Sequence, residues 1–240
     1  MPAPSPPSQP FPAELEVLYE DNHLIAVCKP AGILTQGDAS GEASLLDWVK
    51  RWIAERYHKP GNVFLGLVHR LDRPVGGVVV FAKTSKAAGR LSAQFRERSV
   101  EKRYLAGVEG TITPASGRLE HFIQHREGSR SVEVSKHARS GAKTAILRYD
   151  TRWTDDKVSV LEVQLETGRK HQIRAQLAHV GHPIVGDRLY GARQRNDSAG
   201  IALCSVSLAI LHPITKAPLR IELSRNALPD LLRHGCNNAD

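Results

Sequence analysis

The apolar residues of this 240-residue chain fall in short runs joined by turns, and no helix regularly follows a strand. That order limits the fold most, because parallel strands need a crossover of about a dozen residues or more, usually helical, whereas hairpins need only a turn. Leu15 to Tyr19 and Leu24 to Cys28 flank the turn-like Glu20-Asp21-Asn22-His23, which predicts a β-hairpin delivering Lys29-Pro30-Ala31-Gly32. Further strands are predicted at Val63 to Val68, Val78 to Lys83, Tyr104 to Val108, Thr144 to Trp153, Val158 to Leu165, Ala202 to Leu211 and Leu219 to Leu223. Helical periodicity marks three segments. Ser44 and Asp47 form a capping signal ahead of Leu45, Val49, Trp52 and Ile53, with the helix ending near His58. Ser85 is expected to cap a second helix reaching about Ser99, and a third runs from about Lys170 to Val180, before Gly181 and Pro183. The expectation is an α+β fold on a largely antiparallel sheet.

Composition removes several classes. At 41% hydrophobic and 24% charged the chain is ordinarily globular, and this length buries roughly 70–75% of the unfolded surface without disulfides or metals. Cys28, Cys204 and Cys236 are widely separated, which suggests neither a disulfide framework nor a zinc site and fits a reducing cytoplasm. No run of about 18 apolar residues occurs, so no membrane span is expected. The opening MPAPSPPSQPFP reads as a disordered Pro-rich tail over 1–12, one domain is expected over 13–228, and 229–240 is expected as a C-terminal tail. Neither GxxxxGK[ST] nor GxGxxG occurs, which argues against a nucleotide cofactor; His171, His179 and His182 match no zinc spacing, so no metal is expected.

The balance of 33 Lys plus Arg against 25 Asp plus Glu gives a net charge of +8, which points to an anionic partner. Two segments concentrate it. Lys83 to Arg103 holds seven basic and two acidic residues, and Arg118 to Arg152 holds eight against four; both are candidate phosphate contacts, with a solvated basic face as the alternative. Asp72 is the exception, since a carboxylate between Arg70 and Arg73 would repel phosphate. In a loop between two buried strands it is either a fixed anion in a cleft or half of a salt bridge that sets the loop. The segment Thr167-Gly168-Arg169-Lys170-His171-Gln172-Ile173-Arg174 opens the third helix as a local anion site, with His171 and Arg174 on one face and Ile173 and Leu177 in an apolar stripe.

HRLDRPVGG (69–77), KRYLAGVEG (102–110) and TGRKHQIRAQLAHVGHPIVGDRLYG (167–191), in this order and spacing, resemble the RluA-type family of RNA pseudouridine synthases over roughly residues 14 to 224. The resemblance implies a mixed, mainly antiparallel sheet flanked by helices, bilobed with a central cleft. It also implies no cofactor or metal, and RNA (rRNA or tRNA) as partner of a monomeric cytoplasmic enzyme. By analogy Asp72 is the catalytic aspartate, Arg174 its ion-pair partner, and Tyr104 the ring beneath the target base and a candidate for removing its C5 proton. Ile173 lines the base pocket, and Arg70, Lys29, Lys102, Arg169 and His171 join it as substrate-binding candidates. Tyr104 as an ordinary core tyrosine is the other reading. The chain departs from the family at Val75-Gly76, where Thr-Ser is usual, and no N-terminal S4-type domain is expected. A non-catalytic RNA-binding protein of the same fold is the alternative function; a nuclease would need metal and several convergent carboxylates.

Overall fold

A computed structural model describes residues 14–196 and 199–236; the Pro-rich 1–12 lies outside the described residues. The chain begins with β1 (Val17–Glu20), β2 (Leu24–Lys29), helix α1 (Leu45–Arg56), β3 (Gly66–Leu67), β4 (Gly76–Ala82) and α2 (Ser85–Glu97). It continues through β5 (Glu101–Glu109), β6 (Ser116–His125), β7 (Val132–Ser135), β8 (Lys143–Thr154), β9 (Val158–Leu165) and α3 (Gln172–His179). The last elements are β10 (Leu203–Leu211), β11 (Pro218–Glu222) and α4 (Asp230–Arg233). One sheet runs β1-β2-β4-β10-β5-β9-β8-β6-β7, with β3 beside β4 and β11 beside β10. Every described pairing is antiparallel except β4 with β10. This is the mixed, mostly antiparallel sheet expected.

The period-2 rule explains the first half. Ile25 and Val27 of β2 and Val79 and Phe81 of β4 pack with Leu45, Trp48, Val49 and Ile53 of α1. Their alternates Leu24, Ala26, Val78, Val80 and Ala82 pack with Ala87 and Leu91 of α2. Two helices therefore cover opposite faces, so both strands read as continuous apolar runs rather than alternating ones. In the second half Ile173 and Leu177 of α3 join the same core as Tyr104, Leu105 and Val163. Strand β10, late in sequence, lies between β4 and β5 and joins the halves.

Four expectations change. The strand expected over 63–68 keeps only Gly66 and Leu67 in a ladder. Thr84, not Ser85, caps α2, because Thr84 is the extended residue whose hydroxyl accepts the Ala87 N–H. Strands β6 and β7 were absent from the sequence reading; their outward positions are charged, so the hairpin resembled a basic loop. The tail expected from 229 is instead packed through Cys236, with Leu232 buried and Leu231 seated over Gly107, where an added Cβ would lie 2.8 Å from Leu231 Cδ2.

Candidate active site

The loop leading into β4 is fastened from the Lys29-to-Thr35 side. Thr35 Oγ1 donates to the Leu71 carbonyl at 2.8 Å and accepts the Leu71 N–H at 3.2 Å. Gly32 N–H donates to the Arg73 carbonyl at 2.8 Å, and Val75 N–H closes a turn on the Asp72 carbonyl at 3.0 Å. Arg73 turns outward to Gly32 O and Glu42. Asp72 is thus presented on a rigid loop with its side chain 28% exposed.

Arg174 comes to it from α3. Its Nη1 donates to Asp72 Oδ2 at 3.0 Å, while Nε and Nη2 grip the two oxygens of Asp187 at 2.7 and 2.9 Å. Arg174 and Asp187 are 5% and 2% exposed, so the fork is held by a buried bidentate pair and only its remaining N–H arm serves Asp72. Burial opposes the charge on Arg174, but the hydrogen bonds and charges of Asp187 and Asp72 outweigh it and raise the guanidinium further. The start of α3 is built by its own side chains. Gln172 Oε1 accepts from Thr167 Oγ1 and Arg169 N–H, and Gln172 Nε2 donates to Ile146 O. The anion site expected there is therefore partly filled internally, and α3 is buried along Gln172 to Leu177 rather than amphipathic with exposed charges.

A cavity of about 570 Å³ opens over Asp72. Its lining includes Arg70, Arg96, Arg98, Lys102, Arg169, Lys170 and Arg174 but a single carboxylate, Asp72. Tyr104, Ile173, Val75, Phe95 and Leu203 give it an apolar side. Burial, with the Asp72 charge next, pushes the Tyr104 phenol upward, so its hydroxyl stays protonated at neutral pH. Burial lowers Lys102, and the neighbouring Arg98 adds to this; burial and then Arg98 likewise depress Arg169, whose Nε is fixed on Thr144 O at 2.9 Å. His171 lies 3.6 Å from Asp72 Oδ2 through Nε2, and burial pushes its imidazole below the usual range. Of the predicted site residues, Asp72, Tyr104, Arg174, Arg70, Lys102, Arg169, His171 and Ile173 all line this cavity.

Lys29 does not. It is fully buried, and its ammonium donates to the carbonyls of Pro30, Ile33 and Arg73, at 3.0, 2.6 and 3.2 Å, beneath the Asp72 loop. It is a staple for that loop, not a groove residue. In the basic stretch 118–152, four of the eight cations, Arg118, Arg126, Arg148 and Arg152, are paired with Glu120, Glu133, Glu166 and Glu162. Among the described residues, no three His, Cys, Asp or Glu side chains gather as a metal site would require.

Residues 23–179 match the family model described as RNA pseudouridylate synthase. The chain belongs to the RNA pseudouridylate synthase family. It is 34% identical over 205 residues to the uncharacterized RNA pseudouridine synthase YhcT of Bacillus subtilis, covering 84% of this chain and 66% of that protein. It is 33% identical over 224 residues to ribosomal large subunit pseudouridine synthase D of Xylella fastidiosa, covering 86% and 65%. With tRNA pseudouridine synthase C of Vibrio parahaemolyticus the identity is 31% over 234 residues, covering 89% and 91%. The chain thus spans about two thirds of the first two relatives and nine tenths of the third. The solved human RNA pseudouridylate synthase domain containing 4 superposes with a TM-score of 0.74 at 23% identity, covering 92% of this chain and 91% of that one, so the fold is shared.

Within this pseudouridylate synthase fold, the family's motifs account for residues that sequence reasoning passed over. Asp187 and Tyr190 sit in the quoted GDRLYG string, but nothing in their spacing revealed that one clamps Arg174 and the other bonds His171. His69 is neutral at the cavity floor: burial draws it down to about 3, its Nε2 accepts the Val80 N–H, and its ring stacks on Phe95 at 4.8 Å. The Val75-Gly76 departure leaves the loop intact. Val75 is buried against the cavity, and a Cβ on Gly76 would already be 3.3 Å from the Lys29 carbonyl oxygen.

Proposed function

We propose that this chain isomerises uridine within structured RNA, rRNA or tRNA, to pseudouridine, with Asp72 as the carboxylate that acts on the sugar. The observation that carries the reading is one carboxylate, aimed by a buried Arg174–Asp187 pair, in a cavity otherwise ringed by cations. Relatives named for ribosomal and for transfer RNA support the substrate class. A flipped nucleotide needs what lines this cavity: an aromatic and apolar slot for the uracil at Tyr104 and Ile173, and Lys and Arg for the flanking phosphates. A fold retained only for RNA binding would have no need to keep Asp72 paired at 3.0 Å to a doubly clamped arginine.

Two routes share this geometry. In one, Asp72 attacks C1′, the N1–C1′ bond breaks with its electron pair going to N1, and the uracil turns in place. C5 then attacks C1′, Asp72 leaves, and the C5 proton passes to water while N1, now free of the sugar, takes up a proton. In the other, Asp72 takes the C2′ proton as N1 departs, C5 adds to the resulting glycal, the proton is returned to C2′, and the C5 proton passes to water as N1 takes up another. Both conserve every atom, as an isomerisation must. With its phenol held protonated, Tyr104 serves as a ring surface and hydroxyl donor rather than as a phenolate base for the C5 proton. RNA tritiated at uracil C5 should lose label with the wild type and not with Asp72→Asn; equal release from both would remove Asp72 from the reaction. Deuterium at C2′ slows only the second route.

A further inference from the structure

We propose that His171 and Tyr190 are positioning residues for Asp72, directing a second N–H at Oδ2 and leaving Oδ1 as the oxygen that reaches the sugar. This rests on the functional reading above and adds to it the identity of the reacting oxygen. Tyr190 ends the short 3-10 turn Arg188–Tyr190, with its ring 5.1 Å from the Arg174 guanidinium and edge-on to His171 at 5.8 Å. Its hydroxyl accepts the Val132 N–H at 3.0 Å and lies 2.9 Å from His171 Nδ1. The hydroxyl has a proton to give Nδ1, and because a carboxylate, which only accepts, faces the other ring nitrogen, the imidazole hydrogen belongs on Nε2. Nε2 points at Asp72 Oδ2, the oxygen that Arg174 already holds. Among the described residues no hydrogen bond falls on Oδ1.

The backbone is committed to this aim. His171 is in the left-handed region at φ 53, a conformation unusual for a residue other than glycine, and it directs the ring from the head of α3 toward the loop of Asp72. The 3.6 Å separation exceeds a hydrogen bond at rest, and such contacts shorten when substrate closes a site. The groups facing the imidazole are Asp72, Asp187, Arg174, Lys170 and the Tyr190 hydroxyl. Burial keeps the ring neutral and the phenol protonated, as the donor arrangement requires.

The test uses the full chain with C5-tritiated large-subunit rRNA and tRNA transcripts, comparing wild type with Tyr190→Phe, His171→Asn and His171→Gln. Asn tolerates the left-handed backbone but is too short to reach Asp72, whereas Gln returns an N–H near the Nε2 position. Loss of one orienting hydrogen bond should lower kcat roughly 3- to 10-fold in Tyr190→Phe and at least as much in His171→Asn, with KM within about twofold and partial recovery in His171→Gln. Nitrogen-15 spectra of the wild-type imidazole should report the hydrogen on Nε2 with Nδ1 hydrogen-bonded, a readout independent of turnover and of how well any variant folds. Wild-type kcat in the variants, raised KM at unchanged kcat, or an Nδ1–H imidazole would each overturn the proposal. A wild type that forms no pseudouridine would instead sink the functional reading, and the proposal with it.

Discussion

Lys29 shows how far a residue's role can lie from what its charge suggests. Burial draws its ammonium from 10.5 to about 8, with Asp72 acting in the opposite direction, while three carbonyls take its hydrogen bonds. Because the folded value is depressed, between about pH 8 and 10.5 the unfolded chain holds a proton that the folded one has released, so stability must rise with pH across that window. The unfolding free energy of wild type relative to Lys29→Met should therefore grow by on the order of 3 kcal/mol from pH 8 to 10.5, measured by denaturant titration at each pH. Parallel curves would refute it. Asp72 and Arg174 were legible because a carboxylate among arginines and a helix of mixed charge each needed a reason, and their motifs supplied one. Lys29 and Asp187 were not, because a buried charge is identified by what surrounds it, and its partners lie on segments distant in sequence.

At the scale of elements, β4 depends on its first two residues. Gly77 has φ +118, and a Cβ there would stand 2.2 Å from the Ser205 carbonyl oxygen, in the only parallel contact among the described strands, Cys204 and Ser205 against Gly76 and Gly77. Gly77→Ala should cost at least about 2 kcal/mol, seen as a lowered melting temperature, since strain and overlap both fall on backbone that cannot retreat. A variant as stable as wild type would mean that β10 can shift. The paired glycines were visible in the sequence as a turn signal, but the strand they meet was not, because parallel pairing joins segments more than a hundred residues apart. The hairpin β6–β7 was missed for another reason: at this end of the sheet the outward positions Arg118, Glu120 and Glu133 are charged, which dilutes the alternation that identifies buried strands such as β2 and β4.

For the whole molecule, the +8 charge is sorted rather than spread. Four arginines of 118–152 are spent on glutamates, whereas Arg96, Arg98 and Lys102 turn to the cavity. RNA affinity should fall linearly with the logarithm of salt concentration, and Arg98→Ala with Lys102→Ala should reduce that slope by about 1.5, measured by filter binding with Asp72→Asn protein between 50 and 200 mM salt. An unchanged slope would place the RNA elsewhere. Among the described residues no helix is long and apolar enough to cross a membrane. The central position of β10 also bears on biosynthesis. Until residues 203–211 leave the ribosome, β4 at Gly76 and Gly77 and β5 along its β10 side present open edges, and Leu203 is missing from the cavity lining. The cavity therefore takes its final form only once β10 has seated between the two halves of the sheet.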